Sequence, residues 1–190
     1  MARGVPRRRA MRAFDDLPPR PPDATEATLV HVVVETPRGS PNKLAWDADR
    51  GVMTLRRILA AGMHFPCDFG FVPGTRAGDG DPIDALLLLD APTAPGVLVE
   101  ARLVGVLTGE QTKDGRTTRN DRLLAVSPLC PRLGRARTLD DVGAPWVDAI
   151  ARFLDDYQRA LGRAYRVTGR GDAADAARLV DEAARAVRPR

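Results

Sequence analysis

Apolar and polar positions change their spacing along the chain, and each change marks an element. Residues 1–27 show no period: arginines give way to Leu17-Pro18-Pro19-Arg20-Pro21-Pro22, with too little apolar surface to offset the entropy of ordering. They are expected to form a disordered basic, proline-rich arm ahead of a single domain over 28–190. Leu29 to Thr36 is then a β-branched run ended by Pro37 and Gly39, which predicts a buried strand with Glu35 near its end. Leu44 to Asp47 and Val52 to Arg57, joined through Asp49-Arg50-Gly51, predict a hairpin. Apolar runs at Ala85 to Leu89 and Val97 to Leu107 predict two more strands, and Asp114-Gly115 a further hairpin turn. A helical period appears only late, where Pro145 sits at a helix start and Trp146, Ile150, Phe153, Leu154, Tyr157 and Leu161 share a face. Ala164 to Thr168 reads as a short strand, and Asp172 can cap an alanine-rich helix to about Val187. Short strands at close spacing with turn signals suggest a barrel.

Length and composition narrow the class. The chain has 190 residues, 44% of them hydrophobic, enough for one domain with a sizeable core. No apolar run approaches the roughly 18 residues of a spanning helix, and no apolar signal segment follows the basic start. Cys67 and Cys130 stand apart, each beside a proline, so neither a disulfide framework nor a zinc site is indicated and a cytoplasmic setting is expected. The net charge of +4 is peripheral, because residues 28–158 carry 15 basic and 17 acidic side chains. With aromatics at 5%, that body lacks the basic, stacking face of a nucleic-acid binder.

The chemistry concentrates in Asp79-Gly80-Asp81-Pro82-Ile83-Asp84. Three carboxylates in six residues repel one another unless a cation lies among them, and such hard oxygen donors suit Mg²⁺ or Mn²⁺. A solvated acidic turn would look the same in isolation. An EF-hand loop does not, since its sixth and twelfth positions would be Asp84 and Asp90 where Gly and Glu are needed. Lys43 and Arg57 stand among apolar strand residues nearby, and Met63 to Phe71 is rich in aromatics, with Phe65 and Phe71 expected in the core.

In order, Glu35, Lys43, Arg57, Phe65-Pro-Cys-Asp-Phe-Gly-Phe71, the acidic stretch, Gly105-Val-Leu and Arg122-Leu-Leu-Ala-Val resemble the family I soluble inorganic pyrophosphatases, from about Val32 to Gly169. The resemblance implies an α+β, mostly β fold, a five-stranded OB-like closed barrel with flanking C-terminal helices. It also implies Mg²⁺-dependent hydrolysis of pyrophosphate to two orthophosphates, and a homo-oligomer, commonly a hexamer. Carried over by position, Asp79 and Asp84 would hold metal, Asp81 would orient or deprotonate the attacking water, and Glu35 would hold metal-bound water. Lys43, Arg57, Arg122 and Tyr157 would grip phosphate oxygens.

Several positions depart from that pattern. Phe69 replaces a tyrosine, Gln158 a lysine beside Tyr157, Ala45 a glutamate, and Arg122 a lysine. The family's two metal-binding carboxylates before Arg122 have no equally spaced counterpart here. A two-residue turn at Asp114-Gly115 would pair residues whose numbers sum to 229, setting Glu110 opposite Arg119 and Thr108 opposite Asp121. Glu110 and Asp121 then share one face and are taken as the ligands. Asn120 and Arg122 fall on the other face, so Arg122 could reach phosphate only if a bulge or longer turn intervened. The departures leave open a hydrolase of another diphosphate, or a weakened OB-like binding or scaffold protein. Retention of all three carboxylates in the acidic stretch argues against the latter.

Overall fold

In a computed structural model, which describes residues 14–187, the β-branched run Leu29–Thr36 forms β1, buried along all but its first residue. Val30, Val32, Val33 and Val34 are fully enclosed, so this strand has no solvent face and reads as a continuous apolar run. β2 (Asn42–Asp47) and β3 (Val52–Ile58) form the expected hairpin, with a register shift between Lys43 and Leu44. Asp68–Phe71 forms β4, Asp84–Leu88 β5, Leu98–Lys113 the long β6, Arg116–Arg119 β7 and Arg122–Val126 β8. α1 (Leu139–Val142) is capped by a Thr138–Asp141 capping box, and α2 (Ala144–Arg159) has its proline in the first turn. β9 (Ala164–Gly171) and α3 (Ala173–Val187) complete the chain. Asp172 caps α3 by accepting from the Asp175 N–H at 2.8 Å, and Asp175 returns the bond to the Asp172 N–H at 3.0 Å.

The strands run in the order β1-β4-β5-β8-β6, and pairing of β1 with β6 closes them into a ring of five. β7 and β9 extend the long β6 beyond the ring. All ring contacts are antiparallel except β5 against β8, which run parallel with Ala85 opposite Leu123. Alternation along these two strands sorts their side chains into two layers. Ala85, Leu87, Leu123 and Ala125 join the valines of β1 and Ala176, Ala177 and Val180 of α3. Leu86, Leu88, Leu124 and Val126 pack instead with Phe65, Phe69 and the α2 residues Val147, Ile150 and Leu154. Gly70 allows β4 to approach β1, since a Cβ there would meet the Val33 carbonyl oxygen at 2.1 Å.

Residues 14–27 of the expected arm make contacts far along the chain, while residues 1–13 lie outside the described residues. Pro19 accepts the His31 N–H at 2.9 Å, and the carbonyl of Pro18 lies 2.8 Å from His31 Nδ1. Arg20 donates to Asp181 at 2.8 Å, and Glu26 pairs with Arg102 at 3.3 Å and Arg137 at 3.0 Å. The prolines already restrict φ, so holding this segment costs less entropy than its apolar content suggests, and charged groups far along the chain supply the contacts.

Candidate active site

The site is built from four strand ends and one face of α2. Glu35, at the end of β1, is 8% exposed, and both of its oxygens are engaged. Lys43 Nζ donates to Oε2 at 3.0 Å and the Trp46 N–H to Oε1 at 2.8 Å. Thr36 Oγ1 donates to the Leu44 carbonyl at 3.0 Å and accepts from the Leu44 N–H at 2.9 Å, fastening β2 at its irregularity. That bulge aims Lys43 inward, where Nζ lies 3.7 Å from the centre of the Phe69 ring. Phe69 also lies 5.9 Å from the Arg122 guanidinium, so one ring serves two cations.

Packing places Tyr157. Its ring stacks on Phe153 at 5.8 Å and contacts Phe65 at the same centroid distance. Burial raises the phenol above its ordinary value, against the opposing charges of Arg57, Arg163 and Arg122. Arg57 lies opposite Lys43 in the hairpin register, so both leave the same face.

The acidic stretch is a tied loop. Gly80 takes a φ of +95°, Ala77 N–H donates to the Asp81 carbonyl at 2.7 Å, and Thr75 Oγ1 accepts the Ile83 N–H at 3.1 Å. Asp79, Asp81 and Asp84 line a cleft of about 710 Å³ together with Glu35, Lys43, Phe69, Arg122, Tyr157 and Gln158. Partial desolvation, and then the charges of Asp79 and Asp84, raise the Asp81 carboxyl above its usual range. Glu35 is likewise raised, chiefly by burial, with Lys43 opposing.

This donor set fits a hard divalent cation. Three carboxylates share one cleft wall, and their mutual repulsion at Asp81 is what a cation would relieve. Among the described residues no three His, Cys, Asp or Glu side chains are gathered closely enough to hold a metal ion by themselves. Mg²⁺ keeps several waters and is commonly bound through one or two carboxylates.

Not every expected ligand reaches the cleft. The register sum of 229 holds from Lys113–Arg116 through Glu110–Arg119 to Gly105–Leu124, as the turn predicts. Neither Glu110 nor Asp121 lines the cleft that holds Lys43 and Tyr157. Glu110 is half exposed and pairs with Arg166 at 3.1 Å. Asp121 accepts from Arg119 at 2.6 Å and from the Gly109 N–H at 3.1 Å, and lines a cavity of about 260 Å³ together with Asp79, Asp84, Asn120 and Arg122. The cleft-facing side of the hairpin carries Gln111, Asn120 and Arg122. Arg122 reaches Asp84 at 2.7 Å, and the register carries no bulge at residues 119–122. Gln111 was not singled out by residue type, since an amide is a poor cation ligand. The same register that places Arg122 places it too.

The sequence model described as inorganic pyrophosphatase matches residues 32–188. The chain belongs to the inorganic pyrophosphatase family. It is 34% identical over 163 residues to the inorganic pyrophosphatase of Synechocystis, covering 86% of this chain and 94% of the relative. It is 38% identical over 144 residues to that of Thermus thermophilus, covering 74% and 80%. The crystal structure of the Thermus thermophilus inorganic pyrophosphatase superposes with a TM-score of 0.83 at 33% identity, over 93% of this chain and 99% of that one. The pyrophosphatase family carries a requirement for a divalent metal, which the Asp79, Asp81 and Asp84 donor set accommodates.

Proposed function

We propose that this protein is an inorganic diphosphatase that hydrolyses pyrophosphate to two orthophosphates with Mg²⁺ as its metal. The observation that carries the reading is the cleft itself, where an acidic wall stands against Lys43, Arg122 and Tyr157 on a family fold. Asp79 and Asp84 would hold the cation and Asp81 would take the proton of the attacking water. A bound divalent ion lowers the pKa of water and neutralises phosphoryl oxygens during in-line attack. Lys43 and Arg122 bind phosphate oxygens by charge-assisted hydrogen bonds, and the Tyr157 hydroxyl by a neutral one. Arg57, on the Lys43 face of the hairpin, reinforces that positive side. Glu35 holds Lys43 in place through the 3.0 Å ion pair.

Among the described residues no helix is long and apolar enough to cross a membrane, and we place the enzyme in the cytoplasm. Exposed Val52, Leu55 and Ile58 on β3 support self-association, with a hexamer as the state implied by resemblance. The test is orthophosphate release from pyrophosphate with Mg²⁺ and with chelator, beside Asp81→Asn. Metal-dependent release lost in the variant supports the reading, and release undiminished in Asp81→Asn overturns the role of that residue. A nucleoside diphosphate preferred over pyrophosphate would move the substrate.

A further inference from the structure

The two walls of the cleft differ in kind. Asp79, Asp81 and Asp84 make one, whereas the hairpin wall presents Gln111, Asn120 and Arg122. A guanidinium has donors only, so its bond to Asn120 fixes that amide with Oδ1 toward Arg122. Asn120 Nδ2 must then point away, and it donates to Gln111 Oε1 at 2.6 Å. Both side-chain amide oxygens of this wall are therefore taken by N–H donors. The groups left over are donors: the Gln111 amide hydrogens, the second amide hydrogen of Asn120, and the Arg122 Nε, which is buried, lacks a partner, and belongs to a residue 6% exposed. An unmet buried donor lining a cleft calls for an acceptor.

We infer that the hairpin wall holds no cation and binds phosphate oxygens directly, so that metal binding is confined to the acidic loop and Gln111 is a substrate-binding residue. The inference rests on the diphosphatase reading for the identity of the anion, but it concerns equilibrium binding and not turnover. On the cleft face of the hairpin a divalent ion would find only the amide oxygens of Gln111 and Asn120, both already taken by N–H donors. A diphosphate oxygen would supply the acceptor that these N–H groups lack.

The full chain is titrated with Mn²⁺ by electron paramagnetic resonance, and with methylenediphosphonate by calorimetry in the absence of metal. Wild type is expected to bind one Mn²⁺ per chain without diphosphonate. Gln111→Glu/Asn120→Asp is expected to bind one more, with diphosphonate affinity in the metal-free titration lowered at least tenfold. Gln111→Ala is expected to leave the Mn²⁺ stoichiometry unchanged and to weaken diphosphonate about fivefold. Two or more Mn²⁺ per chain in wild type, an unchanged count in the double variant, or unchanged diphosphonate affinity in Gln111→Ala would each overturn the inference. A chain that shows the expected binding yet releases no orthophosphate from pyrophosphate would refute the proposed reaction and leave the division of the walls standing.

Discussion

The ammonium of Lys43 lies over the ring of Phe69, 3.7 Å from its centre, while the same ammonium is held by Glu35 at 3.0 Å. A carboxylate and an aromatic face thus fix a flexible side chain from two directions. Cation–π contacts out of water contribute about 2 kcal/mol, and about 1.4 kcal/mol is tenfold in affinity. Phe69→Leu should raise KM for pyrophosphate about tenfold with a smaller change in kcat, and Phe69→Tyr should stay within about twofold. Steady-state kinetics decide it, and an unchanged KM in the leucine variant would remove Phe69 from the substrate cradle.

Glu35 and Lys43 are both largely buried, so removing one partner strands the other. Glu35→Gln is expected to destabilise the fold by about 3 kcal/mol. Adding Lys43→Met should restore much of that loss, because no charge is then left unpaired. Urea unfolding of the two single variants and the double variant gives the coupling directly, and additive losses would show that the pair carries none.

A pH effect should arise at Asp68, which does not line the cleft. Its carboxylate is 1% exposed and accepts the N–H groups of Arg38 at 2.7 Å and Thr93 at 2.9 Å. Burial nevertheless raises its pKa above the ordinary 3.8. The folded state then holds this proton more tightly than the unfolded state does. The associated stability is complete below 3.8 and is lost as pH rises through the raised value. The stability of wild type minus that of Asp68→Asn should therefore fall as pH climbs from 3.8 through that window. Thermal unfolding of both proteins across the range would expose a flat difference if the shift were absent.

Arg20 tests the ordered segment before β1. Arg20→Ala removes the bond to Asp181 and those to the carbonyls of Leu29 and Ala177. The expected cost is about 1 kcal/mol, with faster limited proteolysis between residues 14 and 28 and little change within the ring. Protection equal to wild type would mean the neighbouring prolines and the Glu26 pairs suffice.

How far the residues alone reach depends on the range of the forces involved. The β6–β7 register was readable because a two-residue turn is a local device, and Asp114-Gly115 propagates its pairing over a dozen residues. Alternation divides that hairpin into two faces but does not say which meets the cleft. That choice depends on Asp84, brought alongside Arg122 from a different strand. Phe14 to Ala27 is hard to read for a similar reason. Its composition is that of a linker, and its contacts lie at Arg102, Arg137 and Asp181. β4 was hidden because Asp68-Phe69-Gly70-Phe71 is short, and its glycine matters only where Val33 comes close.

The parallel seam between β5 and β8 has a consequence for the life of the polypeptide. Hairpins can zip from their turns, but a parallel pair needs the intervening crossover laid down first. Asp84 and Arg122 open the two strands of that seam, so their charges meet only when the ring is whole. A nascent chain still lacking β8 carries every carboxylate of the acidic loop without the Arg122 guanidinium that pairs with Asp84. The architecture thereby withholds the assembled cleft from unfinished copies.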